Sequence, residues 1–128
     1  MPALRNLALA LFAVTALAGC GTTKKTASAP TDCFDAGAVS NYAAVDRETV
    51  NLRVGVNDFY QVKMLGVCPD INWTQKIGLS STGGSRVCTG LDLTIHVPGP
   101  TGPQECAADS IRKLSAEEVA ALPKGQKP

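Results

Sequence analysis

The chain predicts a mainly β domain, a small antiparallel barrel or sandwich of about six strands carrying a short C-terminal helix. Three observations support this. Apolar and polar residues alternate with a period of two in the stretches 50–64 and 91–97. Turn formers (Asn57-Asp58, Gly83-Gly84 and the run 98–103) punctuate those stretches. Four cysteines, Cys33, Cys68, Cys88 and Cys106, are spread across the region 32–122.

Taken in order, 33–39 reads as a weak strand. In 50–56, Val50, Leu52, Val54 and Val56 alternate with Asn51, Arg53 and Gly55, as a half-buried strand requires. Tyr60, Val62 and Met64 alternate with Gln61 and Lys63 in a second strand. A two-residue turn at Asn57-Asp58 would set Gln61 against Val54. A three-residue turn over 57–59 pairs Val56 with Tyr60 and Val54 with Val62, so the apolar faces agree and the register is specified. Pro69 opens a short helical turn through Trp73. Residues 77–81 form another weak strand, and Gly83-Gly84 separates it from Arg86-Val87-Cys88.

Leu91, Leu93, Ile95 and Val97 share one face of the clearest strand, with Asp92, Thr94 and His96 on the other. The run 98–103 is expected to be a loop, because proline cannot donate to a ladder. A strand over 105–113 returns antiparallel. Ser115 and Glu118 form a capping box, Leu114 and Val119 a hydrophobic staple, and Pro123 with Gly125 ends the helix 116–122. Such a helix is too short to persist alone and must dock on the sheet. Residues 123–128 are read as a disordered tail.

Residues 1–19 have the form of a signal segment. Arg5 and the free amine lead an apolar run over 7–18 that is too short to span a bilayer. The Leu-Ala-Gly-Cys at 17–20 resembles the lipobox of bacterial lipoproteins. The resemblance implies cleavage before Cys20, a diacylglyceryl thioether on its sulfur and acylation of the new amine. Two or three acyl chains give durable anchoring where one does not. Gly21, where an Asp would favour inner-membrane retention, points to the outer membrane. The polar segment 20–31, with Lys24 and Lys25, reads as a flexible tether spanning roughly 20 Å.

Lipidation of Cys20 also resolves an odd count. Five cysteines become four, an even set suited to two disulfides in an exported chain. With no Cys-x-x-Cys pair, zinc and thioredoxin-like readings have no support. Three pairings are possible, and Cys33–Cys106 with Cys68–Cys88 is favoured.

Composition excludes several functions. Removing residues 1–19 takes away Arg5 from 12 Lys+Arg, leaving 11 against 11 Asp+Glu, so the domain is neutral and lacks a basic patch for nucleic acid. Aromatic residues make up 5%, which argues against an aromatic-lined sugar groove or a base-stacking platform. His96 is the one histidine, and no motif sets a nucleophile beside it, so it reads as an exposed strand residue. The Gly-rich 81–85 followed by Arg86 neither opens a helix nor contains a P-loop lysine, and reads as a hairpin loop. Asp32, Asp35 and Asp46 lack calcium-loop spacing, so no metal and no cofactor is expected. Phe59, Trp73 and Arg86 are the candidate interaction residues if exposed, although Trp73 reads first as a core side chain.

Several landmarks together resemble a family of small exported proteobacterial proteins, a domain of unknown function. They are Cys33-Phe34, Tyr60, Cys68-Pro69, the run 87–92 (Val-Cys-Thr-Gly-Leu-Asp), Cys106 and 111–118. The resemblance covers about 32–122 and supports the four-cysteine reading without supplying an activity. The expected function is that of a lipid-anchored, non-enzymatic envelope module that faces the periplasm and binds a protein partner. The alternative is an inhibitor of a hydrolase such as lysozyme.

Overall fold

The computed structural model describes residues 33–128; the expected signal segment, Cys20, the tether and Asp32 lie outside the described residues. The mainly β expectation holds. Eight strands run in chain order as β1 (Phe34–Asp35), β2 (Val39–Ala44), β3 (Thr49–Val54), β4 (Asp58–Met64), β5 (Gly78–Ser81), β6 (Arg86–Val87), β7 (Leu93–Gly99) and β8 (Gly102–Lys113), followed by helix α1 (Ala116–Ala121). Six strands form a curled half-barrel in the order β2-β3-β4-β8-β7-β5, and β1 with β6 makes a second, two-stranded sheet. All pairings are antiparallel.

The alternation places residues as the pattern requires. Val50, Leu52 and Val54 of β3, Tyr60, Val62 and Met64 of β4, and Leu93, Ile95 and Val97 of β7 are all buried in one core. The hairpin register differs from expectation. Leu52 pairs with Tyr60 and Val54 with Asp58, around a three-residue turn at 55–57 rather than 57–59. Gly55 enters that turn at φ +59, a conformation costly for a β-branched residue such as Val56. The slide is by an even number of residues, so the apolar faces still agree, but Val56 leaves the strand and is exposed. Leu91 likewise leaves its expected strand for a 3-10 turn over Gly90–Asp92 and is exposed. The expected strand 33–39 is interrupted by a 3-10 turn at Ala36–Ala38 that hands the chain from the small sheet to the large one.

The run 98–103 is a hairpin rather than a loop, with Pro98 paired to Pro103 and Gly99 to Gly102 around Pro100-Thr101. Hydrogen-bonded and unbonded pairs alternate along an antiparallel ladder. A two-residue turn makes Gly99 and Gly102 the bonded pair, so both prolines fall where no N–H is needed.

Strand β8 is shared by both halves of the large sheet. Its residues 102–107 pair with β7 and 108–113 with β4, and Asp109 is an extra residue between Ser110, opposite Lys63, and Ala108, opposite Met64. This bulge bends β8 at the point where its partner changes. Gly90 packs against the backbone of Asp109 and Ser110 there, so closely that a Cβ on it would overlap main-chain atoms.

The disulfides correct the favoured pairing. Cys33 joins Cys88, and Cys68 joins Cys106. The small sheet accounts for the first: Phe34 pairs with Val87, which brings the residues flanking them together. The second follows from the exit of β4, where the Leu65 N–H donates to the Ala107 carbonyl and holds the chain beside β8.

Both ends of the β3–β4 hairpin are closed. At the Gly55 end, Phe34 stacks on Tyr60 with ring centroids 4.7 Å apart, and the Gly55 N–H donates to the Ala38 carbonyl. At the Arg47 end, the Cys68 N–H donates to the Arg47 carbonyl and Ile71 is buried as a plug.

The capping box forms as expected. The Ser115 hydroxyl accepts from the Glu118 N–H at 3.2 Å, and the Glu118 carboxylate accepts from the Ser115 N–H at 2.8 Å. Leu114 and Val119, the expected staple pair, are both buried outside the main core cluster. Residues 123–128, expected to be a disordered tail, instead form a 3-10 turn at Lys124–Gln126. Asn51 donates to the Gln126 carbonyl at 2.8 Å and accepts from Gln61, which satisfies a fully buried amide.

Candidate functional site

The sequence-expected interaction residues do not converge. Phe59 is the second residue of β4, at the Gly55 end, half-buried, with the Arg53 guanidinium 6.0 Å from its ring. Arg86 lies in β6, paired in register with Asp35, and is exposed. Trp73, expected first in the core, instead stands at the Arg47 end with 85% of its surface exposed.

Trp73 belongs to the connection between β4 and β5, which is held at several points. Cys68 is bonded to Cys106, the Gln104 amide donates to the Asp70 carboxylate at 3.2 Å, and Ile71 is buried. The Trp73 and Thr74 N–H groups both donate to the Asp70 carbonyl, closing the short turn expected after Pro69. Asp70 itself sits at φ 65, a left-handed position an aspartate tolerates. Finally, the Tyr42 hydroxyl donates to the Thr74 carbonyl at 2.7 Å, and burial raises the pKa of the phenol above its ordinary value. Leu65 and Val67, exposed at 63% and 52%, stand on the same connection. Sequence reasoning missed this pair. The available signal was the apolar run Met64, Leu65, Val67, which continues past the strand and breaks its alternation.

The connection also forms one wall of a groove of about 410 Å3, opposite β2, with Asn41, Tyr42, Asn72, Thr74 and Gln75 among its lining.

His96 lies on the outward face of β7, as its parity predicts. The Ser80 hydroxyl is 2.7 Å from its Nε2, and a Glu105 carboxylate oxygen is 3.7 Å from its Nδ1. The order serine, histidine, carboxylate is that of a nucleophilic relay, but 3.7 Å is too long for a hydrogen bond. Acyl transfer also needs N–H donors converging on the oxyanion. The backbone N–H groups of a strand lie in the plane of the sheet, so its face presents side chains instead.

The Gly-rich 81–85 is not a hairpin loop. It carries the chain from β5 in the large sheet to β6 in the small one, with Gly84 at φ 100 and the Ser81 hydroxyl donating to the Arg86 carbonyl. Asp35 and Asp46 each accept a backbone N–H two residues ahead, as turn-forming aspartates do. Among the described residues no group of three His, Cys, Asp or Glu side chains is placed to hold a metal.

Three carboxylates are held below their ordinary pKa by donors to the charged form. Asp35 is lowered by the Ser85 hydroxyl and then the Gly37 N–H, Asp92 by the Thr89 and Cys88 N–H groups, and Glu118 by the Ser115 N–H and then Arg112. A depressed folded-state pKa contributes stability that is complete above the unfolded-state pKa and lost as pH falls through the folded value. Thermal melts should therefore show a plateau at neutral pH and a falling midpoint below about pH 4. In an Asp92→Asn, Glu118→Gln double variant this acid slope should be shallower.

Two disulfides are the mark of an oxidising, extracytoplasmic compartment. Comparison with curated proteins and with solved structures found no match. A family model does match, over residues 3–127, and by it the chain belongs to the family of unknown function DUF6491.

Proposed function

We propose that this protein is a lipid-anchored module of the cell envelope. It is held at the outer membrane through Cys20, faces the periplasm, and binds another envelope protein rather than catalysing a reaction. The anchoring rests on the Leu-Ala-Gly-Cys at 17–20 and agrees with the two disulfides. The protein-binding reading rests on one observation: a fully presented tryptophan on a segment pinned by a disulfide, a buried isoleucine and the Tyr42–Thr74 bond. Ordering a loop on binding costs affinity, and a pinned loop has already met that cost. Tryptophan is among the commonest interface anchors, and Leu65 and Val67 are further exposed apolar side chains on the same connection.

In-cell photo-crosslinking tests this. A crosslinking amino acid at position 67 or 73 should give a discrete adduct with one partner, and the same group at position 86 should give none. Adducts from 86 alone would move docking to the Gly55 end, and none from any position would remove the reading. In parallel, Cys20→Ser should shift the protein from the membrane fraction to the soluble one.

A further inference from the structure

We propose that the groove between β2 and the connection 71–75 binds an uncharged glycan. This goes beyond the protein docking above and does not depend on it.

Two features of β2 argue against a peptide strand adding to this edge. Ser40 is bulged out of register, with its hydroxyl donating to the Gly55 carbonyl at 2.9 Å, and the Tyr42 N–H is already taken by the Asn41 side-chain oxygen at 2.9 Å. An edge bent and capped in this way offers a poor ladder. Recognition in the groove must then come from side chains.

The side chains present suit sugar hydroxyls. The Tyr42–Thr74 bond fixes the two walls against each other, and Thr74 spends its own hydroxyl on the Lys76 carbonyl. The Asn41 amide nitrogen and the whole amides of Asn72 and Gln75 remain exposed to the groove's solvent. A carboxamide carries donors and an acceptor side by side. It matches a hydroxyl, which both donates and accepts, or the acetamido group of an amino sugar. Tyr42 is the one aromatic residue of the lining, and Trp73 stands outside it, exposed between the lining residues Asn72 and Thr74. No carboxylate lines the groove and Lys127 is its one charged lining residue, so nothing there selects a cation and little favours a polyanion. Its volume of about 410 Å3 falls within the range of small-molecule clefts.

Because Trp73, the chain's single tryptophan, stands beside the groove and not in its lining, binding is read by titration calorimetry, with indole emission as a second readout. The full chain, purified in a detergent without a sugar headgroup, is titrated with an N-acetylglucosamine tetramer, a glucose tetramer and an uncharged peptide of similar length. A saturable heat of binding with either sugar is expected, and the stronger response identifies the sugar class. Asn72→Ala and Gln75→Ala should each weaken it about fivefold, with unfolding temperatures unchanged, and Leu65→Ser should leave it intact. No response to either sugar at millimolar concentration would overturn the proposal. So would a response to the peptide alone, or a sugar response unaltered in both amide variants. The titration contains no partner protein, so its failure leaves the docking reading untouched.

Discussion

A Cys68→Ala, Cys106→Ala double variant is expected to lose about 4 kcal/mol of folding stability. The bridge spans a sequence separation of 38 residues, and loop closure in the unfolded chain accounts for roughly that amount. A domain of this size has a net stability of only about 5–15 kcal/mol. The melting midpoint should therefore fall by about 15–30 °C. Cys68 is fully buried, so loss of its sulfur adds a packing defect to the entropic loss. The effect is also local. Without the bridge, the connection carrying Leu65, Val67 and Trp73 keeps Ile71, Asp70–Gln104 and Tyr42–Thr74 but loses its covalent tie to β8. Amide exchange in 65–74 should rise well above that in β3 and β4. A midpoint within a few degrees of the parent would show that the bridge adds little to the fold.

Gly90→Ala should cost about 3 kcal/mol, the upper end for overpacking a tight site. The added methyl would lie against the carbonyl carbon and oxygen of Asp109 and the nitrogen of Ser110. Main-chain atoms of a sheet cannot rotate aside as a flexible side chain can. Either the 3-10 turn over Gly90–Asp92 must lift, or the Asp109 bulge must move. Lifting the turn would strain the Asp92 carboxylate's bonds to the Cys88 and Thr89 N–H groups, and with them the Cys33–Cys88 corner. Denaturant unfolding measures the loss. Gly66→Ala, where nothing lies within 4 Å of the added carbon, is the matched control and should change stability by less than about 0.5 kcal/mol.

The sequence made legible what is local and periodic. Burial of Val50, Leu52, Tyr60 and Val62 follows from alternation, and the cap on α1 from Ser115 and Glu118 three residues apart. Register was half legible, because a slide by an even number of residues preserves every face. Asn57-Asp58 has turn chemistry, but the positive φ is taken by Gly55. At 98–103 the proline rule was sound and its application was not, since only alternate pairs in a ladder need an N–H. The disulfide partners were illegible because the small sheet that aligns Cys33 with Cys88 is built from two-residue strands without a periodic signature. The groove was hidden for a similar reason. Asn41 lies far from Asn72 and Gln75 in the chain, and the low aromatic count argued against a sugar site lined by rings, whereas this groove is lined by amides with one aromatic ring, that of Tyr42.

The bridges carry the central claim, because they hold the Gly55 end together and pin the Trp73 connection to β8. A non-reducing peptide map tests that claim most directly, provided the digest is chosen with care. Cys88 and Cys106 share one tryptic peptide, since no Lys or Arg lies between Arg86 and Arg112, so trypsin alone cannot separate the pairings. A second cleavage after Glu105 divides them. The expected map shows Cys33 with Cys88 and Cys68 with Cys106. Cys33 linked to Cys106, or Cys68 to Cys88, would contradict the account.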